Sequence, residues 1–250
     1  MHLKHAIDQS FKPASASKVV GEPIQIGHLM SDESSTSDGP DRSNLGPGEF
    51  FPVIGVGPHP LPWPEGSQYD TELLELGDRR NVVDKYRYWT VEAIVADLDT
   101  QRAPLHIAIE NWQHDLNIGS VVRTANAFNV AGVHIVGKRG WNRRGAMVTD
   151  RYLHLFHHPT VADFKAWSLE NDVPIIGIDN VPGCGNIETS PLPRACVLYF
   201  GQEGPGMSPE GLAACTQILG ITQAGSTRSM NASAAGAIAM FAWAMQHVHQ

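Results

Sequence analysis

From Leu105 to the C-terminus, short apolar runs alternate with stretches whose apolar positions recur every three or four residues. Leu105-His106-Ile107-Ala108-Ile109 predicts a strand, and residues 118–128 predict a helix. Val133-His134-Ile135-Val136 reads as a second strand, ending at Gly137. A helix over 161–169 and a strand at Pro174-Ile175-Ile176-Gly177-Ile178 follow. Ala195-Cys196-Val197-Leu198-Tyr199-Phe200 is continuously apolar, the mark of a strand covered on both faces. Ser208-Pro209-Glu210 opens a short helix with a cap, a proline in the first turn and an acid beside it. A strand over 217–221 and a long alanine-rich helix over 231–247 complete the series. Strands alternating with helices imply an α/β fold with a mainly parallel sheet flanked by helices.

Upstream the pattern weakens. Thr90 caps a predicted helix carrying Val91, Ile94, Val95 and Leu98, and residues 70–88 mix charge with Leu73, Leu74, Leu76, Val82, Val83 and Tyr86. Residues 69–104 are therefore expected to be a helical connector. Residues 1–68 hold nine of the seventeen prolines and the polar run Ser31–Pro40. That composition buries too little apolar surface to offset its ordering entropy, and predicts a disordered or extended arm. Gly55-Val56-Gly57 is followed by Pro58 and Pro60 where a dinucleotide-binding loop would start a helix, so it reads as linker. No internal repeat is visible, and residues 105–250 form the expected main domain.

Composition narrows the class. With 42% apolar and 18% charged residues in 250, the chain reads as soluble and globular. No run of eighteen apolar residues and no signal-peptide block occurs, so a cytoplasmic protein without a membrane span is expected. Cys184, Cys196 and Cys215 lie far apart, as reduced structural thiols would. The net charge of -8 argues against a nucleic-acid partner until its distribution is considered. Lys138, Arg139, Arg143, Arg144 and Arg151 concentrate five of eighteen basic residues within fourteen positions.

Three segments at or just beyond predicted strand ends can carry chemistry, since ligands of open α/β sheets bind at that edge. The first is Asn117-Ile118-Gly119-Ser120-Val121-Val122-Arg123-Thr124-Ala125, with one arginine in a helix of small and apolar residues. The second is Gly201-Gln202-Glu203-Gly204-Pro205-Gly206-Met207, whose glycines permit close backbone approach and a sharp turn. The third runs from Ile221 to Ser233 and delivers Ser229 and Asn231 to a helix start. Taken singly, these read equally well as a surface ion-pair former, a tight turn and a helix cap.

In order and spacing together, the three segments resemble the SpoU/TrmH group of the SPOUT superfamily, RNA ribose 2'-O-methyltransferases. The family pattern is Asn-x-Gly-x-x-x-Arg-Thr-Ala, then Gly-x-Glu-Gly-x-Gly, then Ser-Leu-Asn-x-Ser. The resemblance implies a C-terminal trefoil knot, S-adenosylmethionine as methyl donor, a tRNA or rRNA substrate and a homodimer with its site near the subunit interface. It places Asn117, Arg123, Glu203, Ser229 and Asn231 at active-site positions, and Gly201, Gly206, Ile221 and Met230 at the donor pocket. Arg123 is the family's proposed base. Because a guanidinium keeps its proton to above pH 12 or so, a substrate phosphate is the better acceptor, with Arg123 orienting both partners and Glu203 holding Arg123.

The chain departs from the pattern at Thr222, Met230 and Ala232, where the family has proline, leucine and valine, and it adds Arg228. None of these removes a polar catalytic group. Lys138-Arg139-Gly140-Trp141-Asn142-Arg143-Arg144 follows a strand on the catalytic edge and is expected to bind RNA: Lys138, Arg139, Arg143 and Arg144 at phosphates, Trp141 by stacking. Glu110–Asp115 either shapes the ribose site or simply packs. His154, His157 and His158 lack acidic or cysteine partners at ligand spacing, so no metal is expected. A non-catalytic RNA-binding protein of the same fold and a small-molecule methyltransferase are the competing readings.

Overall fold

A computed structural model describes residues 55–112 and 117–248. Among these residues, seven strands form one sheet in the order β3-β2-β1-β6-β4-β7-β5, and every pairing is parallel. The strands are β1 (Ala103–Asn111), β2 (Val130–Gly137), β3 (Leu155–His158), β4 (Ile175–Ile178), β5 (Gly185–Asn186), β6 (Cys196–Phe200) and β7 (Gln217–Gly220). The helices are α1 (Thr71–Leu76), α2 (Val91–Asp99), α3 (Asn117–Ala127), α4 (Val161–Glu170), α5 (Pro209–Ala214) and α6 (Ala232–His247).

The period-two alternation of β1 explains the layering. Leu105, Ile107 and Ile109 enter the core made with Ile118, Val121 and Val122 of α3 and Met240 and Trp243 of α6. Ala108 faces the other way, into the cluster of Phe164 and Trp167 of α4 and Ala214 of α5. Both faces of the sheet are thus covered, as β6 required: Cys196 through Phe200 are all buried. Burial pushes the Cys196 thiol up to about 12, which makes it an inert packing group.

Upstream, α2 is capped by Thr90, whose hydroxyl accepts the Ala93 N–H at 3.1 Å. Residues 70–88, expected as a helical connector, are helical only over α1 and one 3-10 turn at Asp84–Tyr86. The reason is local. Gly77 ends α1 at φ 94°, and the chain turns to pair Asp78 with Val56. Asp78 is fully buried; its carboxylate accepts two hydrogen bonds from Arg80 at 2.9 and 2.7 Å and the N–H groups of Arg80 and Tyr88. Against the cost of burial, those bonds hold the Asp78 carboxyl down at about 2.

The short strands β3 and β5 were not legible in the sequence pattern. β3 carries His158, the end of a ladder of imidazoles that crosses three strands. His106 Nδ1 lies 3.0 Å from His134 Nε2, and His134 Nδ1 lies 2.8 Å from His158 Nε2. Trp167 and Phe164 of α4 close over the rings, and Phe156 stacks on His134. Burial holds all three below the usual histidine range, His106 and His158 at about 4. Such a base is neutral in both states above pH ~6.5; below that pH the unfolded chain takes up protons that the folded chain refuses. Stability is therefore expected to fall as pH drops from ~6.5 toward ~4, by up to about 3 kcal/mol for each of His106 and His158. Urea unfolding at pH 7 and pH 4.5 measures it; equal midpoints would refute the neutral ladder.

Candidate active site

Four loops meet where the strands end at their C-terminal edge. Residues 201–207 follow β6, Asp179-Asn180 follow β4, residues 221–231 follow β7, and α3 begins nearby with Asn117. Between them lies a cleft of about 640 Å³, a volume that includes its open mouth. Ile178, Phe200, Ile221 and Met230 supply apolar lining, and Asp179, Asn180, Gln202 and Gln223 the polar groups.

The loop after β6 is closed on itself. The Gln202 N–H donates to the Gly206 carbonyl at 3.0 Å and the Gly206 N–H returns to the Gln202 carbonyl at 3.1 Å. Only glycine fits at 201, because a Cβ there would lie 2.1 Å from the Met207 nitrogen. Gly204 and Gly206 turn the chain at φ 90° and 75°. The Met207 N–H then donates to Asp179 at 3.0 Å, tying this loop to the one after β4.

Glu203, at the tip of the closed loop, gathers the other two motifs. Its Oε2 accepts Asn117 Nδ2 at 3.0 Å, the Ala232 N–H at 2.9 Å and, more weakly, Asn231 Nδ2 at 3.4 Å. Asn231 Nδ2 also donates to Asn117 Oδ1 at 2.8 Å. At the same time Asn231 caps α6, its Oδ1 accepting the N–H groups of Ser233 and Ala234 at 3.0 and 3.3 Å. The carboxylate beside the positive end of α6 is a favourable placement.

The expected site residues therefore divide. Gly201, Gly206, Ile221, Met230, Glu203 and Ser229 line one cleft, while Asn117 and Asn231 join it through the Glu203 carboxylate. Arg123 does not join. It is exposed on α3 and, among the described residues, makes no bond to Glu203. Six residues on from Asn117 amounts to about 240° of helical rotation and about 9 Å of rise, which turns it off the Asn117 face. Within one protomer, Glu203 holds the two asparagines rather than the arginine expected from sequence.

The basic loop sits on the same edge. Lys138, Arg139, Arg143 and Arg144 are exposed, whereas Trp141 packs against the core with the Arg143 guanidinium over its ring at 5.5 Å. Arg143 also reaches Asp150 at 3.4 Å. The aromatic of this loop is thus already engaged. The three histidines weighed for a metal have separate partners: His154 meets Asp99, His157 meets the Gly137 carbonyl, and His158 ends the ladder. Sequence reasoning missed Asp179, Asn180, Gln202 and Gln223. Asp179-Asn180 could have been found, since the pair follows directly on a predicted strand.

A parallel sheet gathers glycine and amide loops at its C-terminal edge, the edge where open α/β sheets bind ligands. Residues 104–241 match the family described as SpoU rRNA Methylase family. The chain belongs to that family. An uncharacterized tRNA/rRNA methyltransferase of Mycobacterium ulcerans is 28% identical over 156 residues, 60% of this chain and 49% of that protein. The chain thus covers about half the length of that relative. The SpoU methyltransferase AviRb of Streptomyces viridochromogenes in complex with AdoMet superposes with a TM-score of 0.53 at 20% identity, over 58% of each chain. A structure concerned with the 2-OH methylation of C/U34 on tRNA superposes with a TM-score of 0.51 at 24% identity, over 57% of this chain and 95% of that one. These likenesses show the fold. Among the described residues, no helix is long and apolar enough to cross a membrane.

Proposed function

We propose that this chain transfers a methyl group from S-adenosylmethionine to a ribose 2'-hydroxyl of tRNA or rRNA, acting as a homodimer. The observation that carries the reading is the web of Asn117, Glu203 and Asn231 beside the cleft at the C-terminal edge of the sheet. Family membership supports RNA methylation, the AdoMet-bound neighbour supports the donor, and the neighbour described for 2-OH methylation supports the ribose position.

The cleft residues fit the donor. Ile178, Phe200, Ile221 and Met230 would hold the donor's purine and aliphatic chain, and Asp179 and Glu203 would supply anionic groups toward its sulfonium. The bound donor supplies an electrophilic methyl on sulfur. In the transfer the 2'-oxygen bonds to the methyl carbon, the carbon–sulfur bond breaks toward sulfur, and the hydroxyl proton passes to a substrate phosphate oriented by Arg123. Asn117 and Asn231, fixed through Glu203, hold the loops so that the hydroxyl approaches in line. Lys138, Arg139, Arg143 and Arg144 hold the RNA backbone.

Arg123 lies off the cleft, so the reading needs a second protomer to bring an arginine to Glu203. The support is a stripe on α6: Ile238, Phe241, Met245 and Val248 are 41%, 55%, 49% and 58% exposed and recur at helical spacing. Helix α3, which bears Arg123, packs against α6.

The same reading includes a trefoil knot formed by threading β7 and its continuation through the 179–195 loop. Leu219 accepts from Asp179 on one side, while Gly220 accepts from Ile187 and Thr222 donates to Glu188 on the other. Knots are otherwise almost absent from proteins. A crystal structure with residues 221–231 passing outside that loop would overturn it.

The test of function incubates the full chain with methyl-labelled S-adenosylmethionine and total RNA from cells lacking the protein, followed by nuclease digestion. Labelled 2'-O-methylnucleosides are expected. Label on a base moves the reaction elsewhere on RNA, and RNA binding without transfer makes the chain a binding protein.

A further inference from the structure

Outside the cleft, an apolar groove on the α4–α5 face is left unexplained. It spans about 1120 Å³ including its mouth; Trp112, Val161, Ala162, Ala213 and Ala214 supply its apolar lining, and Lys165, Glu210, Thr160 and Ser208 its polar groups. The floor is built around Trp112, the residue directly after β1. Its indole N–H donates to Glu110 Oε2 at 2.8 Å, and its ring lies flat enough on Gly137 that a Cβ there would come within 2.7 Å of the ring.

Glu110 is an unusual anchor. It is fully buried, and it also accepts the Tyr199 hydroxyl at 2.8 Å and the Ser208 hydroxyl at 2.8 Å. Its approach to α5 requires glycine at 211, where a Cβ would lie 2.3 Å from the carboxylate. A satisfied buried carboxylate of this kind fixes the indole in one orientation.

Two connections tell what the groove meets. The Trp112 backbone N–H donates to the Gln202 side chain at 3.0 Å, and Gln202 lines the catalytic cleft, so groove and cleft share a wall. On the other side, Asn111 donates to the carbonyls of Lys138 and Gly140 at 2.6 and 2.8 Å, so the basic turn is braced on the residue next to Trp112. Lys138 and Arg139 are exposed there, on a chain of net charge -8. An aromatic platform between a reaction cleft and exposed cations is suited to a polyanion that presents planar rings, and less to an apolar peptide.

We propose that this groove is a nucleobase subsite, in which an unpaired base flanking the methylated nucleotide stacks on Trp112 while the neighbouring phosphate meets Lys138 or Lys165. The proposal rests on the RNA-methyltransferase reading and deepens it: the substrate is locally single-stranded, and Trp112, not Trp141, supplies the stacking. Trp112 is a binding residue, held at the groove by its backbone bond to Gln202 as well as by its indole bond to Glu110.

The experiment titrates total RNA from cells lacking the protein against the full chain at saturating S-adenosylmethionine. Trp112→Ala is expected to raise the KM for RNA about tenfold, as loss of one stacked base does, with kcat and donor affinity changed less than about twofold. Trp112→Phe keeps a ring but loses the bond to Glu110, and restores most of the affinity; a purely structural indole would make both variants equally poor. Ala213→Phe, at an exposed position lining the groove, is expected to fill it and raise the KM likewise. An unchanged KM in Trp112→Ala and Ala213→Phe overturns the subsite, as does a Phe variant no better than Ala. If the wild-type chain transfers no methyl, the enzymatic reading fails by itself. Filter retention of the same RNA then decides the subsite: weaker retention by both variants supports it, and equal or no retention overturns it.

Discussion

Glu203→Ala is expected to lower the single-turnover methyl-transfer rate by about two orders of magnitude while leaving thermal stability close to that of the wild type. The carboxylate is exposed, so its removal opens no cavity in the core. What disappears is the common acceptor for Asn117 at the start of α3 and for Asn231 and the Ala232 N–H at the start of α6, two chain segments that the carboxylate joins to the loop after β6. A hydrogen bond to a charged group contributes about 1.5–3 kcal/mol, and the exposed setting puts each of these at the lower end. Losing two effective bonds is about 3 kcal/mol, which corresponds to a rate factor of about 10² if all of it is needed to hold the transition-state geometry. Glu203→Gln keeps the shape and one acceptor oxygen and should fall between the two. The pattern across kcat and KM discriminates further. The asparagines fix loop geometry, so kcat should drop most; a change confined to the KM for the donor would make Glu203 a simple wall of the cleft.

That web also shows what the sequence could and could not disclose. The strand over 195–200 and the helices over 118–128 and 231–247 were legible because both faces of the sheet are covered and the apolar pattern has no competing explanation. Structure places them at Cys196–Phe200, Asn117–Ala127 and Ala232–His247. β3 was hidden because its four residues, Leu155-Phe156-His157-His158, are half histidine, and their burial is explained only by the ladder to His134 and His106. Within the connector the leucines obey helical spacing, but after α1 the chain leaves the helix because Gly77 and buried Asp78 obey a tertiary demand. For the site, the sequence pairs Glu203 with Arg123, whereas within one protomer Glu203 reaches Asn117 and Asn231 and Arg123 stays off the cleft. Sequence spacing fixes how far apart two residues are along a helix; which loop a carboxylate reaches depends on sheet order, and β6 beside β1 brings Glu203 to Asn117.

Arg123 follows from that geometry as the strongest expected effect. Arg123→Ala should reduce transfer by about 10²–10⁴-fold, the range for removing a group that manages proton transfer, without weakening donor binding, because Arg123 does not line the cleft. Arg123→Lys should recover little, since a point charge cannot orient a phosphate and a hydroxyl together as a planar fork does. The informative experiment mixes two inactive proteins. In an Arg123→Ala/Glu203→Ala heterodimer, an arginine serving its partner's Glu203 leaves one composite site intact and one doubly damaged. Random exchange makes about half of all dimers mixed, so activity should return to about a quarter of the wild-type level in a two-fold symmetric dimer. If arginine and glutamate worked within one protomer, every site in the mixture would carry one lesion and no activity would return. Phe241→Glu, which places a charge in the exposed apolar stripe of α6, should yield monomers that bind the donor and fail to transfer. An active monomer would instead require α3 or the loop after β6 to move far enough to bring Arg123 to its own Glu203.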